Sequence, residues 1–208
     1  MNKAAGVRPD GTREYLERVT AAARQVDPRE IDALVEAIAE AYRAGRFVFL
    51  IGNGGSGANA SHLCEDLGKG TLVDFDTQRR LRVMSLTDNT PYILAWGNDT
   101  SYERVFVEQL KNYAAPDDLL IAISGSGESA NILRAVEYAN THGLHTVGVT
   151  GYTGGALRRI ARQGLHVPSH DMGIVEAVHG IFFHYLVDAL RERFRQEGLP
   201  ITTEGETR

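Results

Sequence analysis

Short apolar runs bounded by turn residues recur along the chain and predict the strands of a sheet. They occupy residues 47–51, 81–86, 119–123 and 146–150, with a weaker run at 165–167. An uninterrupted run of this length is typical of a strand that is buried on both faces, as in a parallel sheet. We therefore expect five strands.

Helical periodicity fills the segments between these runs. Apolar positions recur at helical spacing over residues 15–26, from Pro28 to Tyr42, and over residues 56–67, 102–113, 130–142, 156–162 and 174–195. Alternation of buried strands with helices predicts an α/β fold, specifically a three-layer α/β/α sandwich around a five-stranded, mostly parallel sheet. Two helices precede the first strand, so we expect them to be added to this sandwich.

The chain has 208 residues, enough for one packed domain and few for two. Within one domain we expect N-terminal helices over residues 1–45 and the α/β unit over residues 46–197. Residues 198–208 carry Gly, Thr and Glu without periodicity. We expect them to form a flexible tail.

Charge and composition narrow the function classes. The net charge is −5 and no basic block occurs, so nucleic acid is disfavoured as the main ligand. No run of about 18 apolar residues and no signal-peptide pattern occurs, so we expect a soluble, cytoplasmic protein without membrane contacts. The single cysteine, Cys64, excludes an internal disulfide and a multi-cysteine metal site.

A glycine-rich segment, Gly52-Asn53-Gly54-Gly55-Ser56-Gly57, follows the first predicted strand and opens a helix. Glycines allow close backbone approach, and the free N–H groups of a helix start bind anions or sugar hydroxyls. No Gly-Lys-Ser/Thr follows, which excludes a P-loop. The glycines match the Gly-x-Gly-x-x-Gly spacing of a dinucleotide-binding loop, but the acidic residue expected about 20 residues later, at the end of a second strand, is missing. The alternative is a tight turn without a ligand.

A serine-rich segment, Ser124-Gly125-Ser126-Gly127-Glu128-Ser129, lies between the third predicted strand and the next helix. Its three hydroxyls and a helix N-terminus suit a phosphate monoester, which accepts several short hydrogen bonds. The alternative is a polar turn in which Ser129 is a simple N-cap. Earlier in the chain, the segment Gly97-Asn98-Asp99-Thr100 is typical of a turn followed by a helix N-cap.

Two predicted helices each carry an acid and an imidazole on one face. His62 and Asp66 stand four residues apart, and Glu176 and His184 stand eight apart. If the helices meet, these groups could bind a divalent metal or act as general base and acid. The alternative is that each pair lies on a solvated surface.

Several of these features together point to one protein family. They are the two loops, His62, the segment Glu176-Ala177-Val178-His179, and His184. The chain resembles the sugar isomerase (SIS) domain family, in the branch of phosphoheptose isomerases that act on sedoheptulose 7-phosphate. The resemblance runs from the N-terminal helices to about residue 195. It implies a homotetramer with the N-terminal helices in its core and with active sites shared between subunits.

The resemblance also implies roles for individual residues. His184 and Asp66 match the catalytic positions, although the family usually has Glu where this chain has Asp66. His62, Asp66, Glu176 and His184 match the ligands of a zinc ion, with Glu176 in place of the usual Gln. The resemblance implies substrate contacts in the two loops and in an Asn-Asp pair that closes on the substrate. The implied substrate-binding residues are Asn53, Gly54, Gly55, Ser56, Asn98, Asp99, Ser124, Gly125, Ser126 and Ser129.

These residues lead to one main hypothesis and two alternatives. The main hypothesis is an aldose–ketose isomerase that converts sedoheptulose 7-phosphate to D-glycero-D-manno-heptose 7-phosphate through an enediolate, assisted by a metal. The first alternative is an isomerase of another phosphosugar. The second is a non-catalytic SIS module that binds a phosphosugar or docks onto a protein, although such a module has little reason to keep four metal-capable side chains.

Overall fold

The protein is described by a computed structural model that covers residues 11–196. Five parallel strands form one sheet in the order β2-β1-β3-β4-β5. The strands are β1 (Phe47–Gly52), β2 (Arg82–Ser85), β3 (Leu119–Ser124), β4 (His145–Thr150) and β5 (Gln163–His166). The helices are α1 (Thr12–Ala23), α2 (Pro28–Ala44), α3 (Gly54–Lys69), α4 (Thr90–Asp99), α5 (Val107–Tyr113), α6 (Ala130–Thr141), α7 (Gly155–Ile160) and α8 (Met172–Gln196).

The sheet is buried on both faces, which explains the uninterrupted apolar runs. Leu50 and Ile121 belong to a core that the sheet shares with α1, α2, α3 and α8. Their strand neighbours Phe49 and Leu120 point the opposite way, into a second core shared with α5, α6 and α7. The predicted three-layer sandwich with a five-stranded parallel sheet is confirmed.

The strand order places the two polar loops side by side. After β2 the chain returns to the other side of β1, so β1 and β3 are neighbours and Gly52 pairs in register with Ile123. In an open α/β sheet, ligands bind beyond the carboxyl ends of strands where the order reverses. Both loops follow strands at that reversal.

Helix α8 is the one described helix that is long and apolar enough to cross a membrane by length and composition. One face of α8 packs within the protein, where Val178 and Leu190 are buried in the core with α1, α2 and α3. Near its end Phe194 stacks on Tyr42 of α2, with ring centroids 4.2 Å apart. Core packing accounts for the apolar residues on this face of α8.

The predicted domain limits remain a prediction. Described parts of the N-terminal segment pack on the sandwich: Arg18 on α1 forms an ion pair with Asp171 just before α8, at 2.5 Å. The predicted tail at 198–208 lies outside the described residues.

The segment between β2 and β3 differs in part from the prediction. The predicted helix at 102–113 is confirmed over α5 (Val107–Tyr113), whereas Tyr102–Arg104 forms a separate short 3-10 turn. Helix α4 was missed, and the supposed turn and N-cap at Asn98 and Asp99 are its last residues. Helix α4 has no fully buried residue, and its Ile93 and Trp96 pack partly buried against the second core. Asn89 caps the helix by accepting from the N–H of Tyr92 at 3.2 Å.

Candidate active site

The glycine loop forms the junction between β1 and α3. Asn53 is the N-cap residue of α3, but its side chain makes no capping hydrogen bond. Gly54 has φ +54°, a left-handed conformation that suits glycine. A Cβ on Gly52 would lie 2.4 Å from the carbonyl oxygen of Ser56, so only glycine allows the strand and helix to approach this closely. Ser56 is buried in the first turn of α3.

The serine loop is a compact turn between β3 and α6. The N–H of Gly127 donates to Ser124 Oγ at 3.2 Å, and the N–H of Glu128 donates to Ser126 Oγ at 3.3 Å. Ser129 occupies the N-cap position of α6 without a side-chain capping bond. Its hydroxyl lies 3.5 Å from that of Ser124. The hydroxyls and the N-terminus of α6 therefore converge on one spot.

A cavity of about 180 Å³ opens between the two loops and α8. It is lined by Asn53, Ser56, Ile123, Ser124, Gly125, Ser126, Ser129, Met172 and Glu176. Ligand pockets for whole small molecules usually hold about 300–1,000 Å³, so this cavity suits one end of a substrate. Six of the ten predicted substrate-binding residues line it, all from the two loops.

The acid and imidazole groups of α3 and α8 form a cluster that we call the triad: His62, Asp66 and His184. One carboxylate oxygen, Asp66 Oδ2, lies 3.4 Å from His62 Nε2 and 3.5 Å from His184 Nδ1. The rings of His62 and His184 meet edge to face, with centroids 5.1 Å apart. Asp66 is half-buried while both imidazoles are exposed, so the cluster opens to solvent.

The triad fits a tetrahedral metal. Two ligands held about 2.0–2.1 Å from zinc at tetrahedral angles lie about 3.4 Å from each other. The two distances to Asp66 Oδ2 match this separation, and the ligand atoms of the three residues all lie within 4.8 Å of one another. Three protein ligands would leave the fourth tetrahedral position for Glu176 or for an oxygen of water or substrate.

Glu176 is not part of the triad. Eight residues of helix separate Glu176 from His184, which is about 12 Å along the axis of α8 even though both face the same way. The carboxylate of Glu176 lies instead against Gly55, where an added Cβ would come within 2.3 Å of Oε1. Glu176 as a fourth ligand stays a prediction, because its side chain would have to turn along α8 to reach the metal.

A family model described as SIS domain matches residues 13–151. The chain belongs to the SIS domain family. A phosphoheptose isomerase of a Geobacter species is 35% identical over 184 residues, which is 88% of this chain and 93% of the relative. A phosphoheptose isomerase of Mycobacterium bovis is 37% identical over 174 residues, 82% of this chain and 87% of the relative.

Solved structures agree with this family membership. A phosphoheptose isomerase from Francisella tularensis superposes with a TM-score of 0.80 at 28% identity. The match covers 86% of this chain and 96% of that one. The likeness confirms the SIS fold for most of the described chain, including the five-stranded parallel sheet.

In this SIS domain the predicted Asn98 and Asp99 lie apart from the lining of the serine cavity. They end α4, and Asn98 Nδ2 donates to Asp99 Oδ1 at 2.8 Å. Tyr102, in the turn that follows, does reach the site: its hydroxyl donates to Asn53 Oδ1 at 3.0 Å. Among the hydrogen bonds described for this segment, the one from Tyr102 is the one that reaches the glycine loop.

Sequence reasoning missed Tyr102, Asn131 and Met172 as parts of the site. The amide of Asn131 pairs with that of Asn53, and Met172 lines the cavity. Asn131 lies two residues after Ser129, the last residue of the serine loop, so its position was a signal for the first turn of α6. Nothing in the local pattern of Tyr102 or Met172 indicates a contact with a loop so far away in sequence.

His179 lies between Glu176 and His184 in sequence but points into the core. Its Nε2 donates to the carbonyl oxygen of Thr150 at 3.2 Å, and the side chain is fully buried. Burial lowers its pKa to about 4, so the imidazole is neutral at physiological pH. This SIS domain therefore uses His179 for packing, and His184 is the histidine of α8 that reaches the triad.

Proposed function

We propose that the chain is an aldose–ketose isomerase that converts sedoheptulose 7-phosphate to D-glycero-D-manno-heptose 7-phosphate. The observation that carries the proposal is the pairing of Asp66 with His184 across α3 and α8, beyond a cavity rich in serines. Relatives that share 31–37% identity over most of the chain are named phosphoheptose isomerases or probable phosphoheptose isomerases, which supports the same substrate class.

The phosphate of the substrate is assigned to the serine cavity. Ser124, Ser126 and Ser129 offer hydroxyls, and the N-terminus of α6 adds backbone N–H groups and the positive end of the helix dipole. The small volume of the cavity supports this assignment, because it suits the phosphate end and leaves the sugar chain to extend along α8.

The distance between the serine cavity and the triad supports a substrate as long as a seven-carbon sugar phosphate. Glu176 lines the cavity, and His184 lies about 12 Å farther along α8. Sedoheptulose 7-phosphate has about eight bonds of about 1.5 Å each between phosphorus and C1, so its extended zigzag spans about 10 Å. A phosphate in the cavity then leaves C1 and C2 within reach of the triad side chains.

Isomerisation requires one proton to leave C1 of the ketose and one to arrive at C2. We assign these transfers to Asp66 and His184: one removes the C1 proton next to the C2 carbonyl, and the other returns a proton to C2. Between the steps the substrate is a cis-enediol or enediolate, and the O1 proton passes to O2 as the C1 carbonyl forms. Positioned acids and bases of this kind contribute about 10²–10⁴-fold to the rate.

The triad is proposed to hold zinc through His62, Asp66 and His184, with Glu176 as the predicted fourth ligand. For Asp66 and His184 the roles of zinc ligand and of proton-transferring group compete, because a lone pair bound to the metal cannot accept a proton. A bound zinc ion supplies positive charge that stabilises the developing negative oxygen. The spacing of the donor atoms supports this choice of metal, as does a nitrogen-rich donor set, which zinc prefers over magnesium or calcium.

A homotetramer with shared active sites is proposed, in the cytoplasm. Large apolar side chains on the outer faces of α1, α4 and α8 support an assembly, because Leu16, Leu94, Ile181 and Tyr185 are exposed in the single chain. A neighbouring copy packed on α4 would bring Asn98 and Asp99 toward a site. Light scattering on the purified protein measures the oligomeric state directly.

The proposed reaction is tested by following sedoheptulose 7-phosphate by NMR with the protein as purified, after chelation, and after adding zinc back. We expect an aldose phosphate to form, to stop forming after chelation, and to form again with zinc. Conversion that survives complete metal removal would contradict the role of zinc. Absence of conversion under every condition would contradict the isomerase.

A further inference from the structure

The side-chain amides of Asn53 and Asn131 face each other across the two loops. Asn53 Nδ2 donates to Asn131 Oδ1 at 2.9 Å, and Asn131 Nδ2 donates to Asn53 Oδ1 at 2.9 Å. Asn131 is nearly fully buried, at 3% exposed, whereas Asn53 lines the serine cavity. The pair therefore ties a buried residue of α6 to a residue that faces the proposed substrate.

The backbone decides which way this pair is oriented. The N–H of Ile132 donates to Asn131 Oδ1 at 3.0 Å, and a backbone N–H can only donate. The oxygen of the Asn131 amide is therefore fixed at that position, and its nitrogen faces Asn53. The oxygen of Asn53 must then face Asn131, because a nitrogen there would meet another N–H group.

Tyr102 adds a second constraint on the same atom. Its hydroxyl donates to Asn53 Oδ1 at 3.0 Å, so both lone pairs of that oxygen are engaged by Asn131 and Tyr102. The Asn53 nitrogen uses one hydrogen on Asn131 and keeps a second. Asn53 is thereby restricted to acting as a hydrogen-bond donor toward the cavity.

We propose that Asn131 is a positioning residue that makes Asn53 a donor to an oxygen of the bound phosphosugar, with Tyr102 reinforcing it. The inference rests on the proposed function for the identity of the ligand. Asn131 thus raises the affinity for the substrate through Asn53, without touching the substrate itself. Preorganisation of a donor lowers the cost of ordering it when the ligand binds.

Asn131→Asp tests the orientation with little change in shape. The carboxylate still accepts from Ile132 and from Asn53 Nδ2, but it has no donor for Asn53 Oδ1. The two oxygens repel, and Asn53 loses its fixed orientation. Asn140→Asp is the matched control, because Asn140 is a part-buried asparagine on the same helix. Its side chain is hydrogen-bonded to the Thr146 hydroxyl and to the carbonyl oxygen of Ile160 and not to Asn53.

The decisive experiment is a double-mutant cycle over Asn53→Ala and Asn131→Asp. Turnover of sedoheptulose 7-phosphate gives kcat and KM, and calorimetry with the same sugar gives Kd. We expect each single variant to weaken binding about tenfold, through KM and Kd with kcat little changed. In the Asn53→Ala background, Asn131→Asp should change Kd less than about twofold, because its effect passes through Asn53.

Each outcome bears on the inference. Additive effects on Kd, or a loss of kcat with Kd unchanged, would overturn it, since either result shows that Asn131 acts other than through Asn53. Asn140→Asp should leave Kd unchanged. Should Asn131→Asp fail to fold, Tyr102→Phe removes one donor at an exposed residue, and an unchanged Kd in that variant would also overturn the inference.

The inference and the proposed function fail in different ways. Binding of the sugar with the predicted coupling but without turnover contradicts the isomerase and supports the role of Asn131. Turnover with additive effects contradicts the role of Asn131 alone. If the unaltered chain shows neither turnover nor binding, both are overturned.

Discussion

Asp66 Oδ2 lies 3.5 Å from His184 Nδ1, although four strands and four helices separate α3 from α8 along the chain. The two residues meet because α3 and α8 pack against each other on the same face of the sheet, where Leu63 and Leu186 share one core. A carboxylate beside an imidazole at the open end of this interface can exchange protons with a substrate.

Loss of either group should slow the chemical step. We expect Asp66→Asn and His184→Ala each to lower kcat by about 10²–10⁴-fold, as is usual for a general acid or base. Initial rates with sedoheptulose 7-phosphate measure the effect.

Glu65→Gln is the matched control for Asp66→Asn, since Glu65 is an exposed carboxylate on the same helix that lies 4.0 Å from Lys69. Its kcat should stay within about twofold of the unaltered chain, because an exposed ion pair contributes little. Losses below tenfold for both triad variants would exclude the proposed proton transfers.

The zinc ligands should differ in how much each contributes to affinity. His62→Ala removes one of three grouped donors, so we expect zinc affinity to fall by more than the 10–100-fold that loss of a supporting residue costs. Competition with a chromophoric chelator measures the affinity. His142→Ala, an exposed histidine that stacks on Tyr138, is the control. Unchanged affinity in His62→Ala would place the metal elsewhere.

Ser129 should contribute to binding of the phosphate. Replacing it by alanine removes one hydrogen bond to a charged group, worth about 1.5–3 kcal/mol, so KM should rise about 10- to 100-fold. The kcat should change little, because the phosphate is remote from the reacting carbons. Thr141→Ala at the other end of α6 is the control, and equal effects of the two substitutions would show that the helix as a whole was disturbed.

Gly55 should be required for substrate binding, because a larger residue there would displace the carboxylate of Glu176. In Gly55→Ala the new methyl group would lie 2.3 Å from Glu176 Oε1, and a flexible side chain can move away without unfolding the protein. We expect the carboxylate, which already lines the serine cavity, to be pushed farther into it and to weaken phosphosugar binding by like-charge repulsion. Calorimetric titration measures the change.

Two further variants make this interpretation specific. Gly55→Ala combined with Glu176→Ala should recover most of the affinity, because the displaced carboxylate is gone. Gly68→Ala, on the same helix, meets only Val83 Cγ1 at 3.5 Å and should leave binding unchanged while stabilising the fold by up to about 1 kcal/mol. Failure of the double variant to recover binding would assign the loss to Gly55 itself.

His179 should make stability depend on pH. Its pKa is lowered to about 4 by burial, from 6.5 in an exposed histidine, so between these values the unfolded chain binds a proton that the folded chain does not. Stability is therefore full above about pH 6.5 and falls toward pH 4, by on the order of 3 kcal/mol. Burial lowers the pKa of His166 as well, which acts in the same direction.

Denaturant unfolding at several pH values measures this dependence. His179→Gln keeps an N–H donor for Thr150 and removes the titration, so its stability should vary less between pH 6.5 and 4. His142→Gln, at the exposed end of α6, should keep the full dependence. An unchanged slope in His179→Gln would show that other groups cause the acid destabilisation.

Local sequence signals predicted the layers of the fold and both loops. Five apolar runs marked β1 to β5 within one or two residues, because burial on both faces leaves little choice of side chain. Helix α4 was missed because its apolar residues, 92–96, are consecutive and show no clear helical period, and only part of that run packs on the core. Its Asn89 cap and the Pro91 in its first turn were the available signals.

The sequence by itself determined which residues carry the chemistry: serines after β3, glycines after β1, and an acid with an imidazole on α3. These are local properties, since loop composition and helical spacing follow from neighbouring residues. Only the tertiary structure decided how they combine. It placed β1 beside β3, brought His184 to Asp66, held Glu176 against Gly55 and paired Asn53 with Asn131. Those contacts depend on strand order and helix packing, which join residues that no local pattern connects.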